Sequence, residues 1–295
     1  MAGDENGLPF DTPSGHADMA VQFPFVGALS ISANGQSFTG SGVALSREWI
    51  LTAGHNADLN DDGAPDAGLT TAFHLPGAGV FTVTTTITHP DFTGFGVPSV
   101  HDDLALLRLG TPLPDGLTYP SLGAMMIGAD DAFTMVGFGR SGYGSYGYTT
   151  GAGLSVRRFG QNVFDTFWFD DEGSGRAEVF RYDFDAPATT GQPGGSLGNT
   201  RESIIAPGDS GGPALIRTAD GWALVGINTF TDGFGGQFGD YGGGIVLQPY
   251  LPWIHDVTGL PVPEPGTGVF LCATLAILLS RRRFGSRCPR RRATG

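Results

Sequence analysis

The chain has 295 residues with 16 basic and 29 acidic side chains, a formal charge of −13. Every basic residue is an arginine and seven of them follow position 280, so residues 1–280 set nine arginines against all the acids; a body that acidic repels phosphate backbones and excludes a nucleic-acid partner. Hydrophobic residues at 40%, with 21 phenylalanines, supply a core, and 49 glycines and 20 prolines supply turns, so the composition is that of a loop-rich folded protein and not a disordered one.

Residues 1–19 are polar and turn-rich, without the basic region and apolar stretch of a signal peptide. From residue 20 to 259 short apolar runs alternate with Gly, Pro, Asp and Ser clusters, the pattern of many short strands. "FVGALSIS", "GVALSREWILTAG", "GVFTVTTTITH", "DLALLRL", "AFTMVGFG", "ESIIAPG", "GPALIR" and "WALVGINTF" are the strand candidates, in that order. "ILTAGHN" ends one apolar run on His55, and the loop "DLNDDGAPD" follows it. Asp58, Asn60, Asp62 and Asp66 stand there at the alternate spacing of a calcium turn, with Gly63 inside it. The twelfth position of a full helix-loop-helix calcium loop requires Glu and holds Leu69, so the match is to shorter calcium turns. The expectation is a structural calcium ion, against the plainer reading of a solvated acidic loop.

"HDDLALLRL" places Asp103 just ahead of an alternating strand, with Asp102 beside it and His101 and His89 as polar loop residues. Residues 140–200, "SGYGSYGYTTG" included, are Gly/Tyr-rich and fit either a long loop or extra strands over a cleft. "APGDSGGPAL" crowds glycines around Ser210. Only "PYLPWIHDVTG" has helical spacing, with Leu251, Ile254 and Val257 on one face and Gly259 as the stop.

Acyl chemistry at a serine needs a base within hydrogen-bond reach, a third group that orients the base, and donors for the oxyanion. In chain order His55, Asp103 and Ser210 can fill the first roles, and the N–H groups of Gly208 and Ser210 the last. "LTAGH", "DLALLRL" and "GDSGGP" resemble the three signatures of the chymotrypsin/trypsin-like serine endopeptidases. The resemblance implies an all-β fold of two six-stranded antiparallel barrels with the active site between them and a short helix at the end, acting on protein or peptide substrates with no cofactor in the chemistry. It implies His55 as general base, Asp103 as its orienter and Ser210 as nucleophile. It also puts Ile204, six residues before the nucleophile, at the base of the specificity pocket and Thr231 on its wall, which suits small or medium apolar side chains and not basic ones.

Two features depart from that family. Asn56 stands where a cysteine often follows the histidine, so the loop is expected to be held by packing. Asp209 lacks the usual Ile-Val-Gly-Gly terminus ahead of the domain and needs another cationic or backbone partner. A competing reading from another class is a catalytically inactive surface or matrix-binding module on the same fold. An esterase is disfavoured, because Ser210 sits in Asp-Ser-Gly-Gly and not in Gly-x-Ser-x-Gly.

Residues 260–268 read as a Pro/Gly linker, and 269–295 as a hydrophobic segment with an Arg-rich end. The only cysteines, Cys272 and Cys288, lie there, which leaves the body without a disulfide. The apolar run, "VFLCATLAILLS", forms a short tail helix at most and falls short of a bilayer's ~30 Å hydrocarbon thickness at ~1.5 Å per residue. Val262-Pro263-Glu264-Pro265, the apolar segment and the arginines together resemble the PEP-CTERM sorting tail. That resemblance implies membrane contact through the tail, an exosortase-like processing enzyme as partner, and export to the cell surface or beyond. Export requires a leader, so the expectation is a true start upstream of Met1.

Overall fold

The structure is a computed structural model that describes residues 1–3, 22–33, 35–96, 100–186, 195–197, 202–233 and 235–263. The chain divides into Met1–Val262, which carries every element below, and Pro263–Gly295. The PEP-CTERM-like tail and its expected helix lie outside the described residues, and among those described no helix is long and apolar enough to cross a membrane.

The strands are β1 (Ala2–Gly3), β2 (Val26–Ala33), β3 (Gln36–Ala44), β4 (Trp49–Thr52), β5 (Thr70–Leu75), β6 (Gly79–Thr88), β7 (Ala105–Leu109), β8 (Ser121–Leu122) and β9 (Ala132–Gly137). They continue with β10 (Ser141–Tyr143), β11 (Gly147–Thr150), β12 (Arg158–Val163), β13 (Thr166–Phe169), β14 (Ala177–Asp183), β15 (Pro213–Thr218), β16 (Gly221–Asp232) and β17 (Tyr241–Val246). Helix α1 (Leu251–Thr258) follows. It buries Leu251 and Ile254 and stops at Gly259, whose φ of 70° lets its N–H reach the His255 carbonyl.

β2, β3, β4, β7, β6 and β5 close into an antiparallel six-stranded barrel in that order. Period-2 patterning explains it: on β5 Thr71, Phe73 and Leu75 turn inward while the residues between them are half-buried or exposed. Leu29, Ile50, Leu51 and Phe73 fill the interior. The second half is an eight-stranded sheet, β12-β9-β15-β16-β17-β14-β13, with β8 paired to β16. Its central strand β16 is buried continuously from Ala223 to Thr229. An aromatic group packs against it, with Phe133 and Phe164 stacked at 4.3 Å and Phe180 and Tyr182 set edge-on to Phe133.

The expected second six-stranded barrel is thus enlarged and is not laddered shut. β13 extends the sheet past β14, and Asn162 on β12 gives its side-chain amide to the Asp183 carbonyl on β14, 2.7 Å away. Residues 141–150 form extra strands, with β10 and β11 pairing beside β1 in a small third sheet. The "ESIIAPG" candidate contributes only isolated bridges.

Candidate active site

β4 and β7 are neighbours with Thr52 opposite Ala105. Three residues beyond Thr52 and two before Ala105 must then fall close together, and these are His55 and Asp103. His55 sits in the 3₁₀ turn Gly54–Asn56. Its Nδ1 lies 2.7 Å from Asp103 Oδ2, and its backbone N–H donates to Asp103 Oδ1 at 2.8 Å. One carboxylate therefore holds both the ring and the main chain of the histidine. Phe95 packs on the imidazole with ring centres 4.5 Å apart. Burial disfavours the imidazolium, but the charge and hydrogen bond of Asp103, with smaller help from Asp61 and Asp58, outweigh it, and the pKa rises above 6.5.

The carboxylate choice rests on backbone conformation. Asp102 takes φ 56° and turns to His89, whose Nδ1 lies 3.3 Å from Asp102 Oδ1. Asp103 next to it is fully buried against His55.

Ser210 lies in the turn ahead of β15. Its carbonyl accepts from the Ser41 N–H at 2.8 Å and from Asn56 Nδ2 at 2.9 Å, both in the first barrel. Asn56 also donates to Thr52 Oγ1, which in turn donates to the Ser41 carbonyl. The loop beside His55 is therefore held by a hydrogen-bond network in addition to the packing of Ala53, Ala57 and Phe92. Gly211 has φ 84°, and a Cβ there would fall 2.0 Å from Thr52 Oγ1 and 2.2 Å from the Ser41 carbonyl oxygen, so only glycine lets the two modules approach so closely.

A trans peptide points its C=O and N–H in opposite directions. The Pro207 carbonyl is held by the Arg140 N–H, and the Asp209 carbonyl by the Gly212 N–H. The following N–H groups, of Gly208 and Ser210, are thereby turned the other way, and among the described residues neither is given to a backbone carbonyl. Gly208 adopts φ 99° to make this turn. Ser210 Oγ donates to the Thr229 carbonyl at 3.3 Å.

His55, Ser210 and Gly208 line one cleft of about 270 Å³, together with Phe95, Phe230 and Thr231. Thr231 lines the cleft. Ile204 does not: it is fully buried, paired in both directions with Ala2, while Ile205 lines the cleft. The Ala2 pairing turns Ile204 into the core, away from the base of a pocket. Tyr148 Oη donates to the Ile205 carbonyl and fixes it.

Asp209 meets backbone donors as well as the amino group of Met1. The Met1 ammonium lies 2.9 Å from Asp209 Oδ2, fully buried, and also donates to the Arg140 carbonyl. The same carboxylate accepts the Gly139 and Ala206 N–H groups at 2.8 and 2.9 Å. Burial pulls the ammonium pKa below 8.0, against the opposing pull of Asp209.

In the loop 58–66 the oxygens serve the turn itself. Asp58 accepts the N–H groups of Asp62 and Gly63, Asn60 that of Asp62, Asp62 that of Ala64, and Asp66 that of Leu59. The sets of converging metal-ligand atoms in the described residues lie elsewhere, around His89, His101 and Asp102.

The sequence profile of the Trypsin family matches residues 13–161, a span that holds His55 and Asp103 and ends before Ser210. No curated protein matches. Among solved structures, HL collagenase is similar in fold, with a TM-score of 0.57 at 20% identity over 81% of this chain and 95% of that one.

Proposed function

Because the chain belongs to the trypsin family, we propose that it is a serine endopeptidase in which Ser210 is the nucleophile, His55 the general base and Asp103 its orienter. The observation that carries this reading is the two-point hold of Asp103 on His55 at a cleft that Ser210 also lines. Asp103 fixes the proton on Nδ1 and leaves Nε2 as the base. Ser210 Oγ turns from the Thr229 carbonyl toward Nε2, gives up its proton and adds to the substrate carbonyl. The oxyanion is met by the N–H groups of Gly208 and Ser210. The imidazolium then protonates the leaving amine, and a water activated by His55 releases the acyl group and restores Ser210.

Among the described residues no Asp or Glu lines the cleft, while Ile205, Phe230 and Thr231 do. Cleavage after small or medium apolar residues follows, and a peptide library cut mainly after Arg or Lys contradicts it. The Ser210–Thr229 hydrogen bond favours the second reading, a non-catalytic binding module. Incubating the purified chain with an unfolded protein separates the two. Cleavage that vanishes in Ser210→Ala supports the peptidase, and no cleavage by folded wild type supports the module.

We extend the proposal to export and surface sorting through the C-terminal segment, with an exosortase-like enzyme and the membrane as partners of that tail. Deleting residues 264–295 should then abolish surface retention while leaving peptidase activity intact. Calcium in the 58–66 loop remains part of the proposal, with lost calcium binding in Asp62→Asn as its test.

A further inference from the structure

The outer face of the second sheet carries an arginine held by aromatic rings. Arg181 on β14 has its guanidinium carbon 4.9 Å over the Trp168 ring and 4.9 Å over the Tyr241 ring. Arg47 and Arg108 each have a carboxylate, at 2.7 and 3.2 Å. Among the described residues Arg181 has no ion pair and no side-chain hydrogen bond, and its Nε is buried without a partner. Ring faces hold a guanidinium by its plane and leave its fork of N–H donors unused. Trp168 and Tyr241 stay 41% and 42% exposed around it.

This ladder is continuous with the cleft. Gly243 on β17 stands opposite both Arg181 on β14 and Phe230 on β16. A Cβ at Gly243 would fall 2.3 Å from Phe230 Cζ, so the Phe230 ring lies across β17. That ring stacks on Trp168 with centres 6.2 Å apart, and it lines the cleft together with Ser210. In the proposed reaction His55 protonates the leaving amine and stands beside it, so the acyl half of a bound peptide lies on the Phe230 side. From there an extended chain, at ~3.3 Å per residue, passes Trp168 and reaches Arg181 within roughly three to five residues.

Resting on the peptidase reading, we infer that Arg181 is a specificity-determining residue, which with Trp168 and Tyr241 forms a subsite for an aspartate or glutamate side chain about three to five residues ahead of the scissile bond. The rings fix the plane of the guanidinium and give apolar contact to the stem of the incoming side chain. The fork then takes its carboxylate through paired N–H···O bonds. Asp183 and Asp232 stand opposite Tyr241 from its two neighbouring strands without pairing to Arg181, so the incoming carboxylate approaches from the Trp168 side.

The test uses the full chain and peptides with Val before the cleaved bond, a single Glu moved through the positions ahead of it, and a Gln twin for each. At one position kcat/KM should favour Glu over Gln by roughly five- to tenfold, through KM and not kcat, and high salt should shrink that ratio. In Arg181→Gln the ratio should fall to about one, while Arg181→Lys, which keeps the charge without the fork, should retain part of it. Each ratio is taken within one protein, so loss of folded material does not alter it. The same pairs, fluorescently labelled, are titrated against Ser210→Ala by anisotropy. Cleavage without a Glu preference overturns the subsite and leaves the peptidase standing. No cleavage, with tighter binding of a Glu peptide to Ser210→Ala, overturns the peptidase and keeps the acidic-peptide site. Neither cleavage nor a binding preference overturns both, and a preference unchanged in Arg181→Gln overturns the assignment to Arg181.

Discussion

His55 is bound by both oxygens of Asp103, and this sets its acid–base behaviour. In the proposed mechanism the neutral ring is the active form, and its pKa is raised above 6.5. Activity should therefore fall as pH drops through that raised value, with the acid limb of kcat/KM lying above pH 6.5; a limb below it contradicts the pairing. In stability the sign is opposite: the pair strengthens the fold below 6.5, and that contribution is lost as pH rises through the folded pKa. Asp103→Asn keeps the shape but disturbs the tautomer, and should lower kcat by on the order of 10⁴-fold, whereas Asp102→Asn should not. Asn56 is the second residue to probe. Asn56→Ala removes two buried hydrogen bonds and should cost about 1–3 kcal/mol in chemical denaturation, with activity reduced in parallel. The triad candidates were legible in the sequence because each sits in a short run whose backbone does one job. Asn56 was not, since its partners are a carbonyl 154 positions away and a strand threonine.

Among the elements, the strands of the first barrel could be read from alternation, and α1 from three apolar positions and a terminal glycine. Residues 140–200 could not, because glycine and tyrosine there give no period that separates a loop from short strands, and β10 and β11 form by pairing with each other and with β1. Ile204 was misplaced for the same reason, its direction being set by a bridge to Ala2 about 200 residues earlier. The turn that carries Ser210 allows a sharp element-level prediction. Gly211→Ala must place a methyl on Thr52 Oγ1 and the Ser41 carbonyl while holding φ at 84°. It should destabilise by more than about 2 kcal/mol, measured by urea unfolding, and a neutral substitution would show that the contact between Gly211 and the first barrel is looser than described.

At the scale of the whole molecule, the turn that carries Ser210 is anchored at both ends. The first barrel holds the Ser210 carbonyl, and the Gly139 and Ala206 N–H groups hold the Asp209 carboxylate. Asp209→Asn weakens these buried charge-assisted hydrogen bonds, which should cost about 1–3 kcal/mol and loosen the turn that presents Gly208 and Ser210. A variant that melts like wild type with full activity contradicts that anchoring.

The most direct measurement is covalent labelling of the folded chain with a serine-directed phosphonate, with the modified residue mapped by peptide mass spectrometry. The account predicts a single adduct on Ser210 that forms at least a hundredfold more slowly in His55→Ala, on the order of a general base's contribution. No adduct on well-folded protein, or one that forms as fast without His55, would contradict it.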